Sequence, residues 1–174
     1  MIADHEMNAG RYGTVTIGAG ARAIALDFGR TYLVVEQRVD KAFRIADDFA
    51  RSGVPVLCVS RLHPDMVRER LQMADISNIW LSERPGQSNL APGELSRLVQ
   101  RVLEFAGTNE RSVVLIDGIE YLSLYSDFHK LQMFFEQLND IMMENGSILL
   151  VAMDPRLFDP RSMARLRRFA EVVG

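Results

Sequence analysis

Residues 113–116, Val-Val-Leu-Ile, form an uninterrupted apolar run that ends on an acid, Asp117, followed by Gly118. A run this short, with no polar alternation, reads as a strand buried on both faces. Such a strand needs a covering layer on each side, and helices crossing over a parallel sheet supply it. Four further stretches have the same character: residues 31–36 (Thr-Tyr-Leu-Val-Val-Glu), 54–60 (Val-Pro-Val-Leu-Cys-Val-Ser), 78–81 (Asn-Ile-Trp-Leu) and 147–153 (Ser-Ile-Leu-Leu-Val-Ala-Met). Pro55 is tolerable near a strand start.

Helical patterns alternate with these runs. Asp40 is placed to cap a helix that reaches Ser52, with Ala42, Phe43, Ala46, Phe49 and Ala50 on one face and Gly53 ending it. Pro64 opens a helix to about Met73. Leu95, Leu98, Val99, Val102, Phe105 and Ala106 repeat at spacings of three and four after Pro92, with Gly107 as the expected stop. Ser126 and Asp127 start a helix that buries Phe128, Leu131, Phe135, Leu138 and Met142 and ends at Asn145-Gly146. Asp159-Pro160 caps a final helix with Met163, Leu166, Ala170 and Val173 on one side. Near the start, residues 14–17 and 21–28 alternate around Gly18-Ala19-Gly20, which predicts an antiparallel hairpin. That Gly-x-Gly lacks the third glycine and the following helix of a nucleotide fingerprint. Residues 1–11 read as a polar, frayed tail.

The expected fold is therefore α/β, a three-layer sandwich with a mostly parallel sheet and an N-terminal β-hairpin. Residues 1–30 would hold the tail and hairpin, and residues 31–174 the α/β domain. The 174 residues suit one such domain. A net charge of −3 gives no global basic field, so nucleic acid is not expected as a partner. The single cysteine, Cys58, sits inside an apolar run and reads as inert and buried. With no disulfide within the chain, no signal-peptide pattern and no run near the ~20 residues of a membrane span, a cytoplasmic protein is expected.

Ligands in open α/β sheets bind outside the carboxyl ends of the strands. The strand ends here carry Glu36 and Arg38, Ser60 and Arg61, Ser82, Asp117 and Glu120, and Asp154 and Arg156. Polar strand ends are also what any α/β fold shows where its loops meet water. His5, His63 and His129 have no metal-ligand spacing, and no Gly-x-Ser-x-Gly elbow is present. A phospho-receiver would need an acidic pair after its first strand and a late lysine, whereas the last lysine is Lys130. Arg161, Arg165, Arg167 and Arg168, with Arg156 before them, read as a solvated face, with RNA, an acidic partner or phosphate as alternatives. Exposed members of Met133, Met142, Met143, Met153 and Met163 would make an adaptable docking surface, and Phe134 is expected at a margin.

The order of elements resembles the RecA-like branch of the phosphate-loop NTPases, particularly the KaiC type. That resemblance aligns residues 31–36 with the phosphate-loop strand and residues 111–117 with Walker B. More specifically, residues 32–36, 55–61, 79–82, 114–122 and 149–155 resemble the archaeal domain-of-unknown-function 835 family, over about residues 31–173. The resemblance implies a signalling context and no established activity.

A phosphate loop wraps phosphates in successive backbone N–H groups, with a lysine on the terminal ones and a hydroxyl on Mg²⁺. The corresponding link here, Gln37-Arg38-Val39-Asp40-Lys41, is short, has no glycine, and is followed by no hydroxyl. Asp40 as cap would occupy the N–H groups a phosphate needs. RecA-like enzymes usually place a water-activating acid after the second strand, where this chain has Ser60-Arg61. The expectation is therefore a non-catalytic RecA-like module that binds another protein, a signalling component, through Arg38, Asp40, Lys41, Arg61, Asp117, Glu120, Asp154 and Arg156. Self-association is left open, no cofactor is expected, and no metal unless at Asp117. The alternative is a nucleotide- or anion-binding regulatory domain, with Arg38, Lys41 and Arg61 on phosphate and Asp117 and Glu120 on a metal. A weak hydrolase is the least supported reading.

Overall fold

The computed structural model describes residues 12–18, 23–72 and 76–173. Strands β1 (Thr14–Ile17) and β2 (Ile24–Asp27) form the expected antiparallel hairpin. The expected turn residues Ala19 and Gly20 lie outside the described residues, as do the tail and His5. The main sheet contains β3 (Thr31–Val35), β4 (Val56–Ser60), β5 (Ser77–Leu81), β6 (Asn89–Leu90), β7 (Val113–Asp117), β8 (Ile148–Met153) and β9 (Ala170–Val173). Its order is β6-β5-β4-β7-β8-β3-β9. Every neighbouring pair is parallel, so all carboxyl ends lie on one edge.

Alternate side chains of the central strands enter two separate cores. Leu33, Leu57, Val59, Val114, Ile116, Leu149 and Val151 meet α3 (Leu95–Thr108), α4 (Ile119–Leu122), α5 (Phe128–Asn145) and α6 (Pro160–Leu166). Tyr32, Val34, Val56, Cys58, Val113, Leu115, Ile148 and Leu150 meet α1 (Lys41–Arg51), α2 (Pro64–Arg70) and the hairpin's Ile17 and Leu26. The absence of alternation in the strand sequences follows from this two-sided burial. Fully burying each large aliphatic side chain contributes ~1.5–3 kcal/mol relative to exposure.

Several expectations are corrected. Gly107 does not stop α3, which runs through it to Thr108. Asn109 caps it, with its backbone N–H and side-chain amide both donating to Phe105 O (2.9 and 3.0 Å). The final helix ends at Leu166 rather than continuing past Ala170. Ala170 to Val173 instead pair with Thr31 to Val34 as β9. The free edge of β3 and the β-branched Val172-Val173 outweigh the helical spacing of the sequence. The polar loop after β5 contains β6, a two-residue addition to the sheet edge. Phe134 is not marginal but 2% exposed, because the buried face of α5 widens to take in Phe134 and Ile141. Helix α2 ends at Arg70, short of the expected Met73.

The hairpin is anchored at the amino edge of the main sheet. Gly29 N–H donates to Ser147 O (2.9 Å) and Tyr12 Oη donates to Glu144 O (3.1 Å). Gly146 ends α5 at φ 64°, and a Cβ there would stand 2.4 Å from the Tyr12 ring. Gly146→Ala should therefore cost more than the ~1–2 kcal/mol of a left-handed non-glycine residue. In a Tyr12→Ala background only that backbone part should remain. Urea unfolding of the double-mutant cycle measures the coupling, which should be on the order of 1 kcal/mol.

Candidate functional site

The connections leaving the sheet define where a crevice would open. From β4 the chain leaves through α2 on one face, and from its neighbour β7 through α4 and α5 on the other. The same reversal occurs between β3, which leaves through α1, and β8, which leaves through α6. Ligand sites of open α/β sheets lie at such switch points. Of the residues expected at the strand ends, Ser60, Arg61, Asp117 and Glu120 lie by the first of these places and Glu36, Asp154 and Arg156 by the second, while Ser82 lies at the end of β5.

At the first, Ser60 Oγ donates to Asp117 Oδ2 (2.9 Å) and accepts from Leu62 N–H (2.9 Å). Asp117 is only 5% exposed. Burial raises its pKa to about 6, opposed by the Ser60 hydrogen bond and reinforced by the charge of Glu120. Arg70 lowers it slightly and Glu36 raises it slightly. Gly118 follows at φ 115°, where its Cα packs on Arg61: a Cβ would meet Arg61 Cβ at 3.3 Å and Leu81 Cδ1 at 3.2 Å. Only glycine adopts this backbone readily and allows so close an approach. Between β4 and β7 the crevice thus holds a hydroxyl–carboxyl pair, with little room beside Gly118 for a side chain.

Arg61 lies against aromatic rings. Its guanidinium carbon lies 4.7 Å from the Tyr121 ring centroid and 5.8 Å from that of Trp80, and Nη1 donates to Leu81 O (3.2 Å). Trp80 Nε1 donates back to Arg61 O (3.2 Å). His63 packs edge-on against Trp80 (5.0 Å) and Tyr121 against Tyr125 (5.4 Å). These form an aromatic–cation row along the edge, and Leu124, next to Tyr125 in sequence, is 77% exposed. The sequence reading found Arg61 but missed Trp80, Tyr121, Tyr125 and Leu124. Their signal was faint: a tryptophan at a strand end, and apolar residues in the polar turn after Asp117.

At the second switch point the cap of α1 is not the one expected. Asp40 holds the N-cap position but makes no side-chain cap. Its carboxylate pairs with Arg44 (3.0 Å) on the exposed helix surface. Glu36, at the end of β3, reaches forward instead. Its Oε1 accepts from the N–H groups of Asp40 (3.0 Å) and Ala42 (3.3 Å), and its Oε2 from Lys41 N–H (2.8 Å). The longer side chain spans the link that Asp40 would have capped from within, and the positive end of the helix dipole favours the negative charge there. Beside it, Glu120 Oε1 accepts from Asp154 N–H (2.9 Å). Asp154 forks onto Arg156, Oδ1 to Nε at 3.0 Å and Oδ2 to Nη2 at 2.6 Å, which holds its pKa near 2. Ser82 Oγ accepts from Arg84 N–H (3.1 Å). Arg38 and the Lys41 side chain take no part in these contacts.

Among the described residues, no three His, Cys, Asp or Glu side chains gather as metal ligands. Cys58 is fully buried, and burial pushes its thiol well above the usual range. His63 caps α2 on Asp65 N–H (3.2 Å), and His129 lies apart on α5. Of the late methionines, Met133 is exposed while Met142, Met153 and Met163 are core. No helix of the described residues is long and apolar enough to cross a membrane.

Two outcomes follow from this geometry. Because the Asp117 pKa is raised in the folded state, its neutral form is the one the fold favours. Its contribution is full below the ordinary value of 3.8 and is lost as pH rises through about 6. Asp117→Asn keeps the acceptor for Ser60 and removes the ionisation. It should be more stable than the wild type at pH 7.5, by on the order of 2–3 kcal/mol, and no more stable at pH 3.5, as denaturant melts at both pH values will show. Glu36→Ala should cost roughly 1–2 kcal/mol through loss of the α1 cap, and Asp40→Ala no more than a few tenths, in the same assay.

The chain matches the model of a family described as "Protein of unknown function (DUF835)" over residues 35–169. No curated protein matches it. The matched segment holds both switch points, from Glu36 to Arg156, and the aromatic row between them. With most of its length matched, the chain belongs to the DUF835 family.

Proposed function

We propose that this protein is a non-catalytic regulatory module of a signalling pathway that acts by binding another protein, built like a KaiC-type ATPase without its phosphate loop. The observation that carries this reading is the Glu36 carboxylate on the N–H groups of Asp40, Lys41 and Ala42. Those N–H groups are the ones a phosphate would take in a phosphate-loop enzyme. A carboxylate in that place opposes a second anion both by occupancy and by charge. The other polar groups of the edge are similarly engaged: Asp117 with Ser60, Glu120 with the Asp154 backbone, and Asp154 with Arg156.

The edge offers a partner its aromatic row. Tryptophan, tyrosine and arginine are the residues that dominate protein interfaces. Leu124 and Tyr125, 77% and 44% exposed, project from the turn after α4 with no role in the core. The second reading, a nucleotide- or anion-binding regulatory domain, is favoured by Arg38 and Lys41, which flank the α1 start with no ion pair among the described residues.

Thermal melts with ATP, GTP and cyclic dinucleotides, each with Mg²⁺, separate the two readings. A ligand present at 100 times its Kd would stabilise by ~2.7 kcal/mol, so specific binding shows as a raised Tm. The expected result is no shift. A shift that disappears in Arg38→Ala would establish the second reading instead. For the first, affinity capture from extracts of the source organism should retain a protein on the wild type and lose it on Leu124→Asp. Equal capture by both folded proteins would remove the aromatic edge as the docking surface.

A further inference from the structure

Five arginines follow β8, and the fold sorts them. Arg156 is held by Asp154. Arg167 lines a hollow at the amino end of β3 that also contains Glu171. The remaining three, Arg161, Arg165 and Arg168, line one open cleft of about 590 Å³ between α6 and α5. Arg161 and Arg165 are one helical turn apart, and Arg168 comes from the turn that follows α6. Ala164 lies among them and leaves the cleft unfilled. The facing wall is α5, which presents His129, Gln132 and Glu136 at helical spacing.

The charge of this cleft is unbalanced. Three guanidinium groups face one carboxylate, that of Glu136, in a chain whose net charge is −3. All three arginines are exposed, and none has an ion-pair partner among the described residues. Asp159, the nearest other acid in sequence, caps α6 on Ser162 N–H (2.7 Å). Asp127 likewise caps α5 on Lys130 N–H (2.9 Å), so side chains and not helix ends must do any binding here. Like charges brought together repel, and the charges of Glu136 and Asp159 offset that cost only in part. An external anion of high charge density would complete the balance. Guanidinium groups are suited to it because their fork matches the oxygens of phosphate.

The lining also selects among anions. It contains no aromatic residue other than His129, so bases of single-stranded nucleic acid have no surface to stack on. It has no exposed large apolar residue to enter a bilayer. From Arg161 to Arg168 the cleft spans ~10 Å at helical rise, which suits one or two phosphate groups and not a long polyanion. We propose that the cleft between α5 and α6 binds a phosphate-bearing anion, with Arg165 between Arg161 and Arg168. This site is separate from the strand edge, and its test does not depend on the docking reading above.

The test is calorimetric titration of the whole chain with inorganic pyrophosphate, with a phosphoserine peptide, and with the same peptide unphosphorylated. Saturable one-to-one binding of pyrophosphate or the phosphopeptide, with none of the unphosphorylated peptide, is expected. Binding of pyrophosphate alone assigns a small free anion, and binding of the phosphopeptide assigns a phosphorylated partner. Arg165→Ala and Arg168→Ala should each weaken binding at least ~10-fold, as loss of a charge-assisted hydrogen bond does. Arg156→Ala should leave it unchanged, and circular dichroism checks that each variant is folded. The proposal is overturned by no saturation with either phosphate probe, or by unchanged affinity in both folded cleft variants. Tighter binding of single-stranded RNA or of the unphosphorylated peptide overturns it equally.

Discussion

The middle strands β3, β4, β7 and β8 have helices on both sides, so their side chains have no polar face to use. What chemistry this chain has must sit at strand ends, in the turns, or on the outer surfaces of the helices. The amino ends are tied by ion pairs of Arg30 with Asp27 and Glu171 and by hydrogen bonds. Thr31 Oγ1 donates to Asn139 Oδ1 (2.9 Å), and the hydroxyls of Ser112 and Ser147 share a hydrogen bond (3.0 Å). Parallel pairing brings the carboxyl ends to the opposite edge, where Glu36, Asp117, Glu120 and Asp154 lie.

At that edge, local interactions of unequal strength compete, and the stronger ones consume the polar groups. A side chain that caps the backbone N–H groups at a helix start contributes roughly 0.5–2 kcal/mol in all. An exposed pair such as Asp40–Arg44 contributes ~0–1 kcal/mol. Glu36 therefore determines the geometry of the link from β3 to α1, and Asp40 does not. With its carboxylate tied to three successive N–H groups, the link from Glu36 to Asp40 is held short. It cannot widen into a loop that surrounds a phosphate without giving those bonds up.

Much of this was legible in the residues. Buried strands betrayed themselves by lacking alternation, and α3 and α5 by their spacings of three and four, because both signals come from the same cores that fix the fold. The acidic plug at the start of α1 was legible as a principle but placed on the wrong acid. Asp40 has the local cap signature, whereas Glu36 reaches the same N–H groups from the end of a strand, and only the backbone path reveals that reach. The strand β9 was hidden because Ala170 and Val173 continue the helical spacing of Met163 and Leu166. Their pairing depends on the free edge of β3, nearly 140 residues away in sequence. The aromatic row was hidden for the same reason. Arg61, Trp80 and Tyr121 come from three different strand ends, and only the order β5-β4-β7 makes them neighbours.

Asp117 bears the consequence of that arrangement. Glu36 and Glu120 share the edge with Asp117, and their charges disfavour its ionisation. Glu36 is compensated by the start of α1, and Glu120 accepts from the Asp154 backbone. Asp117 has a neutral hydroxyl, and the weak pull of Arg70 does not balance its burial. Its ionisation is thus the one displaced to about 6. A carboxyl group in a metal-dependent phosphotransfer site works as an anion, with the cation offsetting its burial. Here burial disfavours the anion, the Ser60 hydrogen bond restores part of that, and the glycine that follows leaves room for Arg61 beside it. Arg61 lies over Trp80 and Tyr121. The side chain that packs beside Gly118 is thereby also the one that joins the aromatic rings of the edge.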